Sequence, residues 1–214
     1  MKTLIVSEIY KSVQGESAYT GLPCTFVRLT GCPLRCRWCD TSYSFRGGKK
    51  LSFSDISQKV RSLGAECVEF TGGEPLAQAH SVLLMKSLSD EGFKVLLETS
   101  GSQSLQAVPK GVHIIMDLKC PDSKMAHKND WNNLDYLKPS DEIKFVIASR
   151  EDYLWAKSMM QEQKIAERFS VLLSPVWGEL DPECLTQWLL EDHLNVRLNL
   201  QIHKYIWDPN KKGV

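Results

Sequence analysis

Short apolar runs recur along the chain and alternate with segments of helical spacing. The apolar runs predict strands at residues 2–8, 25–30, 67–71, 93–98, 112–118, 142–148, 168–173 and 195–201. Apolar positions three and four residues apart predict helices at residues 54–63, 76–90, 150–166 and 182–192. Alternating strands and helices are typical of βα units in a mostly parallel sheet. Six such units are too few to close an eight-stranded barrel. We therefore expect an α/β fold, an open and partial βα barrel, with residues 1–214 as a single domain.

The segments between these elements carry turn and cap signals. Ser54 is the expected N-cap of the first helix, and Gly64 is its expected end. Glycine, proline and polar residues predict loops or breaks at residues 11–23, 47–50, 120–140 and 207–214.

Charge and hydropathy exclude two classes of partner. The chain has 26 Lys and Arg residues against 26 Asp and Glu residues, whereas a nucleic-acid-binding surface usually leaves a basic excess. Apolar runs reach four residues at most, and a membrane span needs about twenty. The first residues become polar at Ser7 and Glu8, too early for a signal peptide. We expect a cytoplasmic protein with neither a nucleic-acid nor a membrane partner.

Seven cysteines occur, and Cys32, Cys36 and Cys39 fall within eight residues on a loop after the second predicted strand. An odd count without an export signal argues against a disulfide framework and favours metal binding or chemistry. A structural zinc site needs four ligands, and the nearest histidine, His80, is far along the chain, so zinc is the weaker alternative. An iron–sulfur cluster held by three thiolates leaves one iron open to a substrate or reagent.

Polar and glycine residues also follow other predicted strands, at residues 72–75, 98–100 and 117–119. The carboxyl ends of parallel strands meet at one rim, where such folds place their chemistry. A Gly-Gly pair there exposes backbone N–H groups and lets a ligand approach the main chain. These segments and the cysteine loop therefore predict one site.

The three cysteines, with Trp38 before the last of them, resemble the signature of the radical S-adenosylmethionine superfamily. The Gly-Gly-Glu-Pro sequence at residues 72–75 resembles the glycine-rich motif of that superfamily. Within it, the chain is similar to the 7-carboxy-7-deazaguanine synthase family at residues 12–17, 26–29, 38–41, 70–75, 98–101 and 200–204. This resemblance covers almost the whole chain and implies a partial barrel of the superfamily's type.

The resemblance implies a [4Fe–4S] cluster on Cys32, Cys36 and Cys39 and S-adenosylmethionine as a cofactor that is regenerated in each turnover. The residues it places at S-adenosylmethionine are Trp38, Cys39, Asp40, Gly73, Glu74, Asp117, Leu118 and Lys119. The usual family sequence at residues 117–119 is Ser-Pro-Lys, from which this chain departs. Glu98 and Ser174 are weaker candidates for the same cofactor. Glu74 has an alternative role as the cap of the helix expected near Leu76.

The implied substrate is 6-carboxy-5,6,7,8-tetrahydropterin. The residues expected to bind it are Val13, Gln14, Gly15, Glu16, Arg28 and Thr71, with His203 as a further candidate. Arg28 suits the carboxylate because a guanidinium offers a bidentate fork. The Thr41 hydroxyl is implied to bind Mg²⁺, which would also contact the substrate; the alternative is an ordinary loop threonine. The implied reaction is hydrogen abstraction at C6, ring contraction and loss of ammonia, so the enzyme would be a carbon–nitrogen lyase. Its product, 7-carboxy-7-deazaguanine, is a precursor of queuosine and other 7-deazapurines.

The resemblance also implies an electron donor such as flavodoxin or ferredoxin, and a homodimer. Two other functions remain open at this point. One is a glycyl-radical-enzyme activase, which has the same cysteine spacing but needs a protein substrate. The other is a non-catalytic zinc or iron–sulfur interaction module, which has no use for the glycine motif. The remaining cysteines, including Cys120 near the expected rim, are expected to be buried or incidental thiols.

Overall fold

The computed structural model describes residues 2–214. Its strands are β1 (Thr3–Val13), β2 (Pro23–Leu29), β3 (Lys49–Ser52), β4 (Cys67–Gly72), β5 (Lys94–Thr99), β6 (His113–Leu118), β7 (Glu142–Ile147), β8 (Ser170–Pro175) and β9 (Arg197–Leu198). Its α-helices are α1 (Phe53–Leu63), α2 (Ser81–Asp90), α3 (Arg150–Glu162), α4 (Ile165–Arg168), α5 (Pro182–Glu191) and α6 (His203–Ile206). Short 3₁₀ helices occur at Ser42–Phe45, Pro75–Ala77, Pro121–Ser123, Ala126–Lys128 and Trp131–Asp135.

All nine strands belong to one sheet, in the order β3-β1-β2-β4-β5-β6-β7-β8-β9. The strands from β2 to β9 in this order run parallel, and β1 is antiparallel to both β2 and β3. Within residues 2–214, β3 and β9 end the sheet without pairing to each other. The predicted α/β fold with an open, mostly parallel sheet is therefore confirmed.

Element boundaries differ from the predictions mainly near the edges of the sheet. β1 extends to Val13, into the predicted loop, because residues 8–13 pair with β2. β3 begins at Lys49, inside the predicted break at residues 47–50, and its two lysines lie on the exposed edge of the sheet. A side chain at Gly48 would come within 2.3 Å of Thr30 Oγ1 and 2.8 Å of the Val6 carbonyl oxygen. Gly48 is therefore explained by close packing against β1, and not by a break between two elements.

Two helices begin elsewhere than predicted. The N-cap of α1 is Ser52, two residues before Ser54, because Ser52 Oγ accepts from Asp55 N (3.1 Å) and Asp55 Oδ2 accepts from Ser52 N (3.2 Å). This reciprocal pair is a capping box. Residues 75–77 form a 3₁₀ turn, and α2 begins only at Ser81. No helix within residues 2–214 has the length and apolar character needed to cross a membrane.

The two faces of the sheet carry different side chains because successive strand residues point to opposite sides. One face packs its apolar residues against the helices: Val68 and Phe70 in β4 lie in a core with α1 and α2, and Phe145 in β7 lies in a core with α3 and α5. The other face carries a small apolar cluster of Cys24, Phe26, Cys67, Leu96, Ile115 and Leu172. Further towards the carboxyl ends, this second face carries polar side chains: Glu69, Thr71, Glu98, Asp117 and Lys144.

We expect Ser52→Ala to lower the free energy of unfolding by about 1 kcal/mol, because it removes an N-cap acceptor and half of the capping box. Urea unfolding of the purified protein measures the change. The control is Ser54→Ala, at an exposed position inside α1 where alanine favours the helix. A larger loss for Ser54→Ala than for Ser52→Ala would contradict the observed cap.

Candidate active site

A cavity of about 780 Å³ opens at the carboxyl ends of the parallel strands. The cysteine loop, the ends of β4 to β7 and the segment after β1 all contribute to its wall. The predicted site residues that line it are Val13, Gln14, Gly15, Glu16, Arg28, Cys32, Cys36, Trp38, Cys39, Asp40, Thr41, Thr71, Gly73, Asp117 and Lys119. The further candidates Glu98 and His203 also line it. The strand ends predicted to converge thus lie around one cavity.

Three candidate cofactor-binding residues lie outside the cavity wall, as does Cys120, the cysteine near the expected rim. Leu118 is fully buried among the apolar residues of β6, α3 and α5, because its side chain points to the helix-covered face of the sheet. The side chain therefore has no access to the cavity, so the predicted contact of Leu118 with S-adenosylmethionine would have to come from its main chain. Ser174 is buried and accepts from Asn199 Nδ2 (2.8 Å), and Cys120 is buried in the same core as Leu118.

Glu74 is the third of these candidates, and its carboxylate is fully occupied inside the chain. Glu74 Oε1 accepts from Leu76 N (3.0 Å) and Thr99 Oγ1 (2.8 Å), and Oε2 accepts from Ser100 N (2.8 Å) and Ser100 Oγ (2.5 Å). The side chain is completely buried and caps the 3₁₀ helix Pro75–Ala77. This geometry matches the alternative role as a cap. It ties the glycine-rich segment to the end of β5, and the carboxylate has no oxygen left over to accept from a ligand.

Gly72 and Gly73 bring this segment against the start of the cysteine loop. Gly73 N donates to the Leu29 carbonyl (3.0 Å), and Glu74 N donates to the Gly31 carbonyl (2.7 Å). A Cβ atom at Gly73 would lie 2.0 Å from Gly31 O, and Gly72 has φ +129°, a conformation that favours glycine. The two glycines are therefore required by the close approach of two main-chain segments at the rim.

The thiols of Cys32, Cys36 and Cys39 are free, half-buried and directed to the same cavity. Leu34 N donates to Cys32 Sγ (3.4 Å), and Cys39 Sγ lies 3.8 Å from Thr41 Oγ1. Within residues 2–214, no three His, Cys, Asp or Glu side chains converge closely enough to hold one metal ion. A cluster requires no such point, because each thiolate binds a separate iron. The donor set fits a three-cysteine cluster better than a single zinc ion.

Lys144, which the sequence analysis missed, is the central cation of the cavity floor. Its ammonium lies 2.7 Å from Glu16 Oε2 and 3.6 Å from Asp117 Oδ2, and it donates to Glu98 Oε1. Its side chain is only 4% exposed. Burial alone would raise the pKa of Glu16, but the charge of Lys144 and hydrogen bonds from Lys144 and Gln201 lower it to about 2. The sequence does contain a signal for this residue: a lysine in the middle of the mostly apolar strand β7 indicates a buried charge.

Arg28 is held in place by residues of β1 and by the cysteine-loop side of the cavity. Arg28 Nε donates to Glu8 Oε1 (2.7 Å), and Arg28 Nη2 donates to Tyr10 Oη (2.8 Å). Tyr43 Oη donates to the same Glu8 oxygen (2.7 Å). These contacts fix the guanidinium in the cavity wall.

The C-terminal segment also lines the cavity. Residues 209–214 lie in the wall, and the Lys212 ammonium sits 4.2 Å from the centre of the Tyr43 ring. Lys204 Nζ lies 3.0 Å from Asp40 Oδ2, and Ile202 N donates to the Gly15 carbonyl (3.0 Å). The sequence predicted only an irregular segment at residues 207–214, because this segment has neither periodicity nor clustered ligands.

Replacing Lys144 by methionine should destabilise the protein by about 3–5 kcal/mol near neutral pH, since it leaves buried carboxylates without their cation. Glu16 has a depressed pKa in the folded protein, so its contribution is present above its ordinary value of 4.5 and is lost as pH falls towards about 2. The stability difference between wild type and Lys144→Met should therefore shrink over that range. Urea midpoints measured against pH, with the exposed Lys86→Met as control, check this. A difference independent of pH would contradict the proposed ion cluster.

Known proteins resemble this chain both in sequence and in fold. The profile of the Radical SAM superfamily matches residues 26–138. A 7-carboxy-7-deazaguanine synthase from Koribacter versatilis is 46% identical over 224 aligned residues, which cover 98% of this chain and 99% of the relative. One from Chlorobaculum tepidum is 44% identical over 214 residues, covering 99% and 97%.

Solved structures give the same fold at lower identity. QueE from Escherichia coli has a TM-score of 0.78 at 21% identity, covering 92% of this chain and 93% of that one. Streptococcus suis SuiB bound to S-adenosylmethionine has a TM-score of 0.57 at 15% identity, covering 80% and 48%. These two likenesses concern the fold alone, whereas the sequence relatives and the profile define the family. The chain belongs to the radical S-adenosylmethionine superfamily and, within it, to the 7-carboxy-7-deazaguanine synthase family.

Proposed function

We propose that this enzyme converts 6-carboxy-5,6,7,8-tetrahydropterin into 7-carboxy-7-deazaguanine with loss of ammonia, a carbon–nitrogen lyase reaction. The observation that carries the proposal is the cavity itself, which brings three free thiols together with a half-buried Arg28 and a set of polar side chains around Lys144. The full-length identity to named synthases supports the same reaction. It also removes the main support for an activase or an interaction module.

The cysteine loop is assigned to the [4Fe–4S] cluster, with Cys32, Cys36 and Cys39 as ligands. When bound, the cluster and S-adenosylmethionine supply a 5′-deoxyadenosyl radical. For S-adenosylmethionine, Trp38 and Asp40 offer side chains beside the cluster, and Gly73 offers its main chain. Asp117 and Lys119 form a salt bridge at the cavity wall (2.9 Å), which supports a polar contact there despite the departure from the family sequence.

The substrate is assigned to the part of the cavity between Arg28 and Lys144. Arg28 supplies a fixed, charged donor for the substrate carboxylate. Gln14, Glu16 and Thr71 offer an amide, a carboxylate and a hydroxyl to the pterin edge, and Val13 and Gly15 offer their main chain. Lys144 keeps Glu16 ionised, so Glu16 acts as a hydrogen-bond acceptor towards the substrate amino group.

The C-terminal segment contributes by covering the cavity. Residues 209–214 and His203 lie in its wall, and they help to exclude water from the reacting atoms. His203 also packs against Gly15, where a Cβ atom would lie 2.0 Å from His203 Nδ1. A larger residue at position 15 would therefore displace the His203 ring from its place in the cavity wall.

We assign Mg²⁺ to Thr41, whose hydroxyl lies at the cavity wall next to Cys39 Sγ. Mg²⁺ keeps few protein ligands and completes its shell with water or substrate oxygens, which a single hydroxyl beside a substrate carboxylate allows.

We also propose a homodimer and a flavodoxin or ferredoxin as electron donor. A cytoplasmic location is supported by the seven cysteines, all of them free thiols. The single continuous sheet supports the proposal that residues 1–214 act as one domain.

The proposed reaction is tested with anaerobically reconstituted enzyme, a chemical reductant and Mg²⁺. We expect 7-carboxy-7-deazaguanine only with the carboxylated tetrahydropterin, and S-adenosylmethionine should not be consumed in proportion to product. Liquid chromatography with mass detection measures both compounds. A colourless protein that binds one zinc ion and forms no product would contradict the proposal.

Arg28→Gln is the matched variant for the substrate carboxylate, with Arg61→Gln on the surface of α1 as its control. Loss of a charge-assisted hydrogen bond should raise the substrate KM at least about tenfold. The Arg61 variant should behave as wild type. An unchanged KM in Arg28→Gln would remove Arg28 from the substrate site.

Cys36→Ala should abolish cluster assembly, since it removes one of three ligands, while leaving the fold intact because the thiol lies on a loop outside the apolar cores. Iron content after reconstitution and the far-ultraviolet circular dichroism spectrum measure the two outcomes. Cys184→Ala, which removes an exposed thiol on α5, is the control and should bind iron as wild type does. A full iron content in Cys36→Ala would contradict the ligand assignment.

A further inference from the structure

Glu69 is a buried acid at the cavity floor to which the proposed function gives no role. It lies in β4 between Val68 and Phe70, on the face opposite the helices, and is 1% exposed. It nevertheless lines the cavity. Within residues 2–214, no ion pair includes Glu69, in contrast to Glu16 and Glu98, which both contact Lys144.

The hydrogen bonds around Glu69 show which of its oxygens faces the ligand. Gln14 Oε1 accepts from Glu16 N (2.9 Å), and a backbone N–H can only donate, so the orientation of the Gln14 amide is fixed. Its other end, Nε2, therefore donates to Glu69 Oε2. Glu69 Oε1 has no hydrogen-bond partner in the described chain and is left to face the cavity.

The charges around Glu69 disfavour an anion at this place. The titratable groups that face it from neighbouring elements are Tyr10 of β1, Glu16 after β1, Cys24 of β2, Cys67 of β4, Glu98 of β5 and Lys144 of β7. The ammonium of Lys144 is already shared among Glu16, Glu98 and Asp117. Burial, together with the nearby Glu98 and Glu16 carboxylates, raises the pKa of Glu69 well above its usual range.

We propose that Glu69 is a neutral carboxylic acid that donates a hydrogen bond from Oε1 to an acceptor atom of the pterin ring. The inference rests on the proposed substrate and adds one residue to its recognition. A pterin edge presents both N–H donors and oxygen or nitrogen acceptors. An ionised carboxylate such as Glu16 can satisfy only the donors, because it carries no proton. A protonated Glu69 supplies a donor from the floor and selects ligands with an acceptor at that position.

The protonation state is tested first, without substrate. Infrared spectra of the holoenzyme with cluster and S-adenosylmethionine are compared for wild type and Glu69→Gln at neutral pH. We expect the carbonyl stretch of one protonated carboxylic acid in wild type and its absence in the variant. Identical spectra would overturn the proposal, independently of what the enzyme converts.

The hydrogen bond is tested by anaerobic titration of the holoenzyme with 6-carboxy-5,6,7,8-tetrahydropterin across pH. Wild-type affinity should fall as pH rises through the pKa of Glu69, because the donor becomes an anion. Glu69→Gln keeps a non-titrating donor, so this fall should be lost while binding near neutral pH is retained. Glu69→Leu keeps the volume without a donor and should bind about tenfold more weakly.

These outcomes separate the inference from the proposed function. Equal weakening in the glutamine and leucine variants, or an alkaline fall that persists in Glu69→Gln, would overturn the role of Glu69 while leaving the substrate assignment intact. Absence of binding by wild type at every pH would instead overturn the substrate assignment. Iron content and circular dichroism of each variant verify that the cluster and the fold are retained.

Discussion

One buried ammonium group holds the polar floor of this barrel together. Lys144 comes from β7, and the carboxylates that it compensates come from the segment after β1 and from β5 and β6. Without that charge, the inner face of the sheet would carry several carboxylates with no cation to compensate them, which would destabilise the fold. With it, Glu16 stays ionised, and the floor can offer acceptors and donors side by side. The charge balance of the cavity floor thus depends on this one lysine, which is shared by three carboxylates.

The rim depends on a different principle, which is contact between main-chain segments. Gly73 packs against Gly31. The Glu74 carboxylate accepts hydrogen bonds from Leu76, Thr99 and Ser100. The cysteine loop, the glycine-rich segment and the end of β5 are therefore joined by hydrogen bonds and close contacts. A ligand at this rim meets a surface whose positions are fixed before binding, which lowers the entropy cost of holding it.

Much of the fold and the cofactor side of the site could be predicted from the sequence. Short apolar runs predicted the strands, and the spacing of Cys32, Cys36 and Cys39 carried the resemblance that implies the cluster. Leu118 was misplaced because successive strand residues point to opposite faces, so the alternation that places Asp117 in the cavity directs its neighbour into the core. Lys144, Glu69 and residues 209–214 were not found, because their roles depend on contacts between distant parts of the chain. The cap of α1 was displaced because Ser52 and Ser54 give similar local signals, and only the reciprocal bond to Asp55 distinguishes them.

Residues 15–17 and 199–202 are far apart in sequence but meet beside the cavity, and this contact affects the order in which the molecule folds. Ser17 N donates to Asn199 Oδ1 across 182 residues of sequence, and Gly15 and Ile202 meet beside them. By contrast, β4 and β5 pair as successive strands and carry the glycine-rich segment and its anchor. Contacts of long sequence separation form late because their loop entropy must be overcome first. We therefore expect the rim around the glycine-rich segment to assemble early, and the cavity wall formed by residues 14–17 and 199–203 to assemble last.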